Sequence, residues 1–411
     1  MTFHGTNHEG MQSQNRSLIL QILSDVETCT RTELAERTGL TPASISKIVA
    51  EMIENKIVIE GGNVAGKLKR RSVAISLNRH LCKVLAVKIA RRSYSVAVFE
   101  LGGRMIALIH KNITLSRAQP SLVMDDIMNE VHTCIREYPD IRAVGVAVPG
   151  PYLRREGKIA IMSEFSGWEH INVYDRISSE LDIPVVTEHD ANAGAFAEWR
   201  FGNNFGFGSR GTLVSLLASE GIGAGVITRG QIVRGSQGVA GEIGHMSINM
   251  NGPRCICGNY GCLEQYTSAL AFAKMVIQDL KDHPESSLNQ ESIITATTVF
   301  DHMRSGDPFA IEEVKKVGRY LGIGMANIVY LYNPNEIIMT DIMTGGGDIL
   351  LNAAKEVVAE RTLPVLSENL VIRHTSLKYD TILMGAAALA EDYLLENPSR
   401  LYMKESPVNH M

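Results

Sequence analysis

The sequence predicts an α/β protein in two parts, an N-terminal winged helix-turn-helix followed by a duplicated two-lobe domain. Three observations predict it. Two short helical patterns flank a glycine turn between residues 31 and 54. A glycine-rich stretch from Gly61 to His80 then carries Lys67, Lys69, Arg70, Arg71 and Arg79 and no acidic residue. From about residue 80, short β-rich runs alternate with helical runs in an order that recurs.

The N-terminal unit begins with QNRSLILQILS, where Leu18, Ile19, Ile22 and Leu23 fall at helical spacing. In the following TRTELAERTGLTPASISKIVAEMIENKIV, Thr32 is expected to cap a helix carrying Leu34 and Ala35, and Gly39 to supply the turn. Thr41 caps the next helix, with Pro42 at its first position, where a missing N–H costs nothing. Ile45, Ile48, Val49, Met52 and Ile53 form its buried stripe, which leaves Ser44, Ser46 and Lys47 outward. A small, polar and basic face suits a helix that enters the major groove of DNA. The segment KIVIEGGNVAGKLKRRSVAISLN reads as two strands around a basic hairpin tip. Lys67, Lys69, Arg70 and Arg71 are expected against phosphates or in the minor groove.

Charge supports one basic contact surface on an otherwise acidic chain. Residues 1–80 carry ten Lys/Arg against eight Asp/Glu, whereas the whole 411-residue chain has a net charge of −5. A surface that coats nucleic acid throughout is excluded. No apolar run approaches the roughly 20 residues that span a bilayer. The polar N-terminus lacks the apolar region of a signal peptide, so a cytoplasmic protein without membrane insertion is expected.

In the remainder, KVLAVKIA, SYSVAVFEL and RMIALIHKNIT read as three consecutive strands, with Gly102-Gly103 at the second turn. SLVMDDIMNEVHTCIREY is an amphipathic helix, and IRAVGVAVPGP a buried strand ending in a turn. IPVVTEHDANAGAFAEWRFG reads as strand, loop and helix, GTLVSLLASEGIGAGVITRGQIV repeats the hairpin, and DTILMGAAALAEDYLL is a helix. This order in two halves suggests an actin-like or ribonuclease-H-like duplication with ligand between the lobes. The expected boundaries are 1–79 for the DNA-binding unit, 80–398 for the two lobes with a hinge near 185, and 399–411 for a tail.

Three of the six cysteines fall between 255 and 262. With His245 they give His-x9-Cys-x-Cys-x4-Cys, so His245, Cys255, Cys257 and Cys262 offer the four ligands that tetrahedral zinc prefers. A full set leaves no open position for an activated water, which points to structural zinc in a loop over 245–262. Gly258 and Gly261 let the backbone wrap closely.

Together, GVAVPGP, SGW, EHDANAGAFAEWRFG, GIGAGVITRG and AGEIGH…CICGNYGCLE, following a winged helix, resemble the ROK family of repressors, open reading frames and kinases. The domain order is similar to that of its NagC/Mlc-type and xylose-type sugar repressors. The resemblance implies sugar contacts at Asp190, Glu242, His245 and Glu264. Asp190 matches the general base of the family's kinases, and it could also cap the helix that starts near Ala191. His189 stands where many of the kinases have Asn. Glu164, in SEFSGW, stands where an Asn is frequent, and a carboxylate there accepts hydrogen bonds without donating any.

The kinases' first phosphate loop resembles Asp-x-Gly-Gly-Thr, and here it reads KIARRSY. Lys88 replaces the metal-associated Asp, and Ala90, Arg91 and Arg92 replace the small residues. The second, Gly-Thr-Gly-x-Gly in the kinases, reads SEGIG, with Glu220 where phosphate approaches. The nucleoside-side motif is altered around IIMTDIMTGGG. The resemblance therefore implies a sugar-responsive repressor that is not an enzyme, with operator DNA, a sugar or sugar phosphate and a second copy as partners, in a homodimer or homotetramer. An ATP-dependent sugar kinase with an appended DNA-binding unit is the alternative. A switch set by a phosphotransfer-system protein is a third, implied by the Mlc-type repressors.

Overall fold

Helix α1 (His8–Asp25) buries Ile19, Leu20 and Leu23 and starts the N-terminal unit. The computed structural model describes residues 8–65, 71–114, 118–160, 167–202 and 211–402. Helix α2 (Arg31–Thr38) starts earlier than the sequence reading placed it, because its cap is Thr30 rather than Thr32. A capping box decides this: Thr30 Oγ1 accepts from the Glu33 amide, and Glu33 Oε2 accepts from the Thr30 amide. Gly39, at φ 71°, closes that helix. Thr41 and Pro42 open α3 (Pro42–Glu54) as expected. Ile45, Val49 and Met52 are fully buried on α3, with Ile48 and Ile53 partly so. β1 (Val58–Ala65) and β2 (Arg71–Leu77) pair antiparallel as a wing, and Cys29 bridges to Ile75 beside them.

Two sheets with one shared topology follow. β3 (Lys83–Ile89), β4 (Ser93–Glu100) and β5 (Met105–Asn112) form an antiparallel meander. After α4 (Pro120–Glu137), β6 (Ile141–Val148) pairs parallel with β3. The hairpin of β7 (Tyr152–Leu153) and β8 (Lys158–Ile159) and helix α5 (Val173–Ser178) lead to β9 (Val185–His189), parallel to β6. Helix α6 (Asp190–Phe201) crosses to the second sheet, where β10 (Thr212–Ala218), β11 (Ile222–Thr228) and β12 (Gln231–Ile232) repeat the meander. Four helices follow: α7 (Glu264–Thr267), α8 (Ala269–Asp279), α9 (Ala296–Arg304) and α10 (Pro308–Tyr332). β13 (Glu336–Thr340) pairs parallel with β10. α11 (Gly347–Arg361) and α12 (Pro364–Ser367) then lead to β14 (Val371–His374), and α13 (Thr381–Glu396) ends the fold.

The orders β5-β4-β3-β6-β9 and β12-β11-β10-β13-β14 are the same path walked twice. This is the duplicated two-lobe α/β architecture, and its parallel strands end at one shared cleft. The crossing between lobes lies later than position 185, which is the first residue of β9. Val185 pairs with Val144, so this stretch belongs to the first sheet. Helix α13 returns to the first lobe and packs on β6 and α6 at backbone distance. A Cβ on Gly145 would lie 1.8 Å from the Ala386 carbonyl oxygen, and one on Gly385 would lie 1.9 Å from that of Ala193. Only glycine allows either approach.

Leu401 and Tyr402, expected in a tail, are packed. Leu401 is fully buried in one cluster with Ile19, Leu20 and Leu395, because the apolar pair Leu401-Tyr402 has α1 to cover. Arg142 Nη1 donates to the carbonyls of Arg400 and Leu401, and Tyr402 Oη donates to Glu51 Oε1 on α3 at 2.8 Å.

Candidate functional site

A cavity of about 320 Å³ lies between the sheets, at the C-terminal ends of their parallel strands. This is the size of small-molecule sites. His189 ends β9 and Asp190 starts α6, so the strand-to-helix junction itself delivers both side chains to the cleft. The parallel register sets Val148 beside His189, which brings Pro149, Gly150 and Pro151 over the imidazole. A Cβ on Gly150 would come within 2.2 Å of His189 Nε2. Asp190 Oδ1 lies 3.0 Å from His189 Nε2 and also accepts from the Ala191 amide at 2.6 Å. One carboxylate oxygen thus serves both the helix start and the imidazole. Burial disfavours charge on His189, but Asp190, Glu242 and Glu188 together push its pKa up to about 9.

Glu242 precedes a tight turn that ends at His245. Its Oε1 is buried without a hydrogen-bond partner among the described residues, and burial raises its pKa although His189 and His245 oppose the shift. Glu264, the first residue of α7, accepts from the Ile222 amide through Oε2 at 3.0 Å. His189, Asp190, Glu242, His245 and Glu264 therefore line one cavity, drawn from both lobes. Glu164 lies outside the described residues.

The phosphate-loop departures Lys88, Arg91, Arg92 and Glu220 line the same cavity. Lys88 Nζ donates to Asp380 Oδ2 at 2.6 Å and lies 3.8 Å from Asp341 Oδ2. Burial works against charge on Lys88, yet Asp380 and Asp341 hold its pKa above the ordinary value. Arg92 Nε lies 3.5 Å from Glu220 Oε1, and Arg91 Nη1 lies 3.4 Å from the Glu220 carbonyl oxygen. These contacts join the first hairpin turn of one sheet to that of the other. Sequence reasoning picked out Lys88, Arg91, Arg92 and Glu220 singly and missed that Glu220 is the partner of both arginines. It also missed Asp341 and Asp380. The signal for Asp380 was available, since Asp-Thr-Ile-Leu is a helix cap, and its Oδ1 accepts from the Ile382 and Leu383 amides.

The loop after Glu242 brings His245, Cys255, Cys257 and Cys262 together, with ligand atoms all within 4.8 Å of one another. Cys255 Sγ lies 3.6 Å from His245 Nδ1, and Cys257 Sγ lies 3.7 Å from Cys262 Sγ. Tetrahedral zinc with Zn–S near 2.3 Å needs ligand separations of roughly 3.5–3.8 Å. The donor set and its spacing fit that ion, and a sulfur–sulfur distance of 3.7 Å is no disulfide. Gly258 and Gly261 have φ of 91° and 62°, and a Cβ on Gly261 would lie 1.7 Å from the Asn249 carbonyl oxygen. The loop is tied to the cleft-lining side chains: the Leu263 amide donates to the Met246 carbonyl, next to Glu264.

On α3, Ser46 and Lys47 are exposed. Ser44 is partly covered, its hydroxyl 2.9 Å from Thr41 Oγ1 within the cap. Arg71 opens β2 opposite Ala65, and Lys67, Lys69 and Arg70 lie outside the described residues.

A winged helix-turn-helix carried on a two-lobe domain with a polar cleft defines a DNA-binding unit joined to a ligand-holding one. The chain belongs to the ROK family, which matches residues 84–393, and residues 12–59 match the winged helix-turn-helix DNA-binding family. It is 27% identical over 399 residues to the xylose repressor of Caldicellulosiruptor bescii, covering 95% of this chain and 99% of that protein. Among solved structures it is similar to a ROK family transcriptional regulator, a homolog of the Escherichia coli Mlc protein, with a TM-score of 0.82 and 24% identity over 95% of this chain and 99% of the other. It is also similar to a ROK family glucokinase from Streptomyces griseus in complex with glucose and AMPPNP, with a TM-score of 0.67 and 25% identity over 75% of this chain and 99% of the other.

Proposed function

We propose that this chain is a sugar-responsive transcriptional regulator, a repressor whose operator affinity changes when a sugar or sugar phosphate binds between the lobes. One observation carries the reading. His189, Asp190, Glu242, His245 and Glu264 line the cleft together, while Lys88–Asp380, Lys88–Asp341 and Arg92–Glu220 contacts occupy the positions matched to the kinases' phosphate loops. The repressor relative, matched over nearly its whole length, supports the same reading.

Asp190, Glu242 and Glu264 accept from sugar hydroxyls, and His189 and His245 complete the polar wall, with Glu164 assigned to it by resemblance alone. Glu242 Oε1 gains the partner it lacks when a hydroxyl arrives, which offsets the cost of its burial. Zinc held by His245, Cys255, Cys257 and Cys262 has a structural role, because four protein ligands fill a tetrahedral site. Its effect is to fix the loop that presents Glu242 and Glu264. Ser44, Ser46 and Lys47 face the major groove, and Lys67, Lys69, Arg70 and Arg71 contact phosphates or the minor groove. A homodimer or homotetramer in the cytoplasm presents two such units to operator half-sites. The sugar must bind one arrangement of lobes better than the other, since equal affinity shifts nothing.

Binding of the purified protein to the DNA upstream of its own gene, titrated with and without sugars, tests this. Salt-sensitive binding that changes with a sugar is expected, and no binding sinks the reading. The kinase alternative draws on Asp190 in the cleft and on the glucokinase likeness. Coupled ADP release across a sugar panel decides it: turnover abolished by Asp190→Asn would make the chain a kinase.

A further inference from the structure

The route from the cleft to the DNA-binding unit along α6 is short. Helix α6 has Asp190 in the cleft at its first residue and Arg200 near its last, about 15 Å away along the axis. Arg200 Nη1 lies 2.7 Å from Asp25 Oδ1 and its Nη2 lies 2.5 Å from Ser24 Oγ, both at the C-terminal end of α1. The same Nη2 is 3.7 Å from Glu391 Oε1 on α13, while Glu391 Oε2 accepts from the Gly102 amide at 2.8 Å. Arg200 is 8% exposed and Glu391 2%.

Helix α13 repeats the arrangement, with Asp380 at its N-cap held by the cleft-lining Lys88 and Glu391 toward the far end. Gly385 brings the α13 backbone against the Ala193 carbonyl, so α6 and α13 cannot slide past one another without a clash. A shift of either cleft end is carried to Arg200 as a rigid displacement.

We infer that Arg200 is a positioning residue, through which the α6–α13 pair sets the orientation of the DNA-binding unit according to what the cleft holds. The guanidinium suits this because its planar fork engages Ser24 and Asp25 together. Apolar contacts of Ile19, Leu20 and Leu23 with Leu394, Leu395 and Leu401 hold the two units together. Being non-directional, they leave orientation to the polar contacts, of which the Arg200 fork is the one tied to the cleft through α6, beside the Tyr402–Glu51 hydrogen bond. This inference rests on the regulator reading, so its test carries an arm without sugar.

In the first arm, Arg200→Met and Asp25→Ala are compared with the wild-type chain for sugar binding by calorimetry and for the ratio of DNA affinities without and with sugar. Xylose, glucose and their phosphate esters are the probes. Allosteric ratios of about 5- to 150-fold are typical, and either variant should bring the ratio to within about twofold while leaving sugar affinity unchanged. A ratio that survives in both variants overturns the inference. Asp25 is 64% exposed, so its replacement guards against an Arg200 variant that fails to fold. If none of these sugars alters DNA binding by the wild-type chain, the regulator reading fails for them. The second arm then decides, using spin-label distances between ketone-bearing residues placed at exposed Glu54 and Lys355. Distributions that broaden or shift in both variants sustain the positioning role, and unchanged ones refute it.

Discussion

Against the effect of burial, Asp190, Glu242 and Glu188 raise the pKa of the buried His189, and that makes the cleft sensitive to pH. The folded pKa of His189, about 9, is above the unfolded value near 6.5. For a group raised in this way, the stabilising contribution is fully present below the unfolded pKa and is lost as pH rises through the folded one. Stability should therefore decline between about pH 6.5 and 9, by on the order of 1–3 kcal/mol, as the His189–Asp190 pair discharges. His189→Gln should flatten that slope in denaturant titrations at several pH values, and an unchanged slope would assign it elsewhere. The zinc ligands make a second prediction. Metal analysis of the purified chain should give about one zinc per protomer, and Cys257→Ser should lower both zinc content and melting temperature. Melting that is indifferent to zinc loss would contradict a structural ion.

At the scale of elements, the contact of α13 with α6 and β6 depends on two glycines whose absent side chains make room for carbonyl groups. Gly385→Ala places a methyl group 1.9 Å from the Ala193 oxygen, so the helices must part. Overpacking of this kind costs about 1–3 kcal/mol or more, and thermal unfolding should show the loss while the zinc site stays loaded. Elements with local causes were legible in the sequence. Thr41-Pro42 and Gly39 marked the ends of the helix-turn-helix, and the meander over 83–112 was plain from its runs of β-branched residues. The cap at Thr30 was misplaced because Thr32 stands nearer to the apolar Leu34, whereas the reciprocal contact with Glu33, three residues on, belongs to Thr30. Asp380 and Asp341 as partners of Lys88, and Asp25 as partner of Arg200, were not legible, since each pair joins distant segments through a fold that no local pattern encodes. Packing of Leu401 under α1 escaped notice for the same reason.

Across the whole molecule, both lobes turn their first hairpins toward one another, where Arg92 pairs with Glu220, and Lys88 of β3 pairs beside them with Asp341 and Asp380. The two sets are not equal. Arg92 is 57% exposed, and a pair of that kind contributes about 0–1 kcal/mol. Lys88 is 15% exposed between two carboxylates, so Lys88→Met leaves Asp341 and Asp380 facing each other with their cation gone. That variant should open the cleft or melt earlier, whereas Arg92→Ala should do little. The same geometry predicts how ligands divide. Because phosphate would have to displace Lys88 from Asp380 and approach Glu220, magnesium ATP should leave the melting temperature unchanged. A sugar that seats against Asp190 and Glu242 binds only the folded chain, and at 100 times its Kd it should add about 2.7 kcal/mol. Differential scanning fluorimetry against a sugar panel, each member with and without magnesium ATP, measures both effects at once. A shift from ATP as large as that from sugar would show that the hairpins still accept phosphates, and the kinase alternative would then take precedence over the regulator.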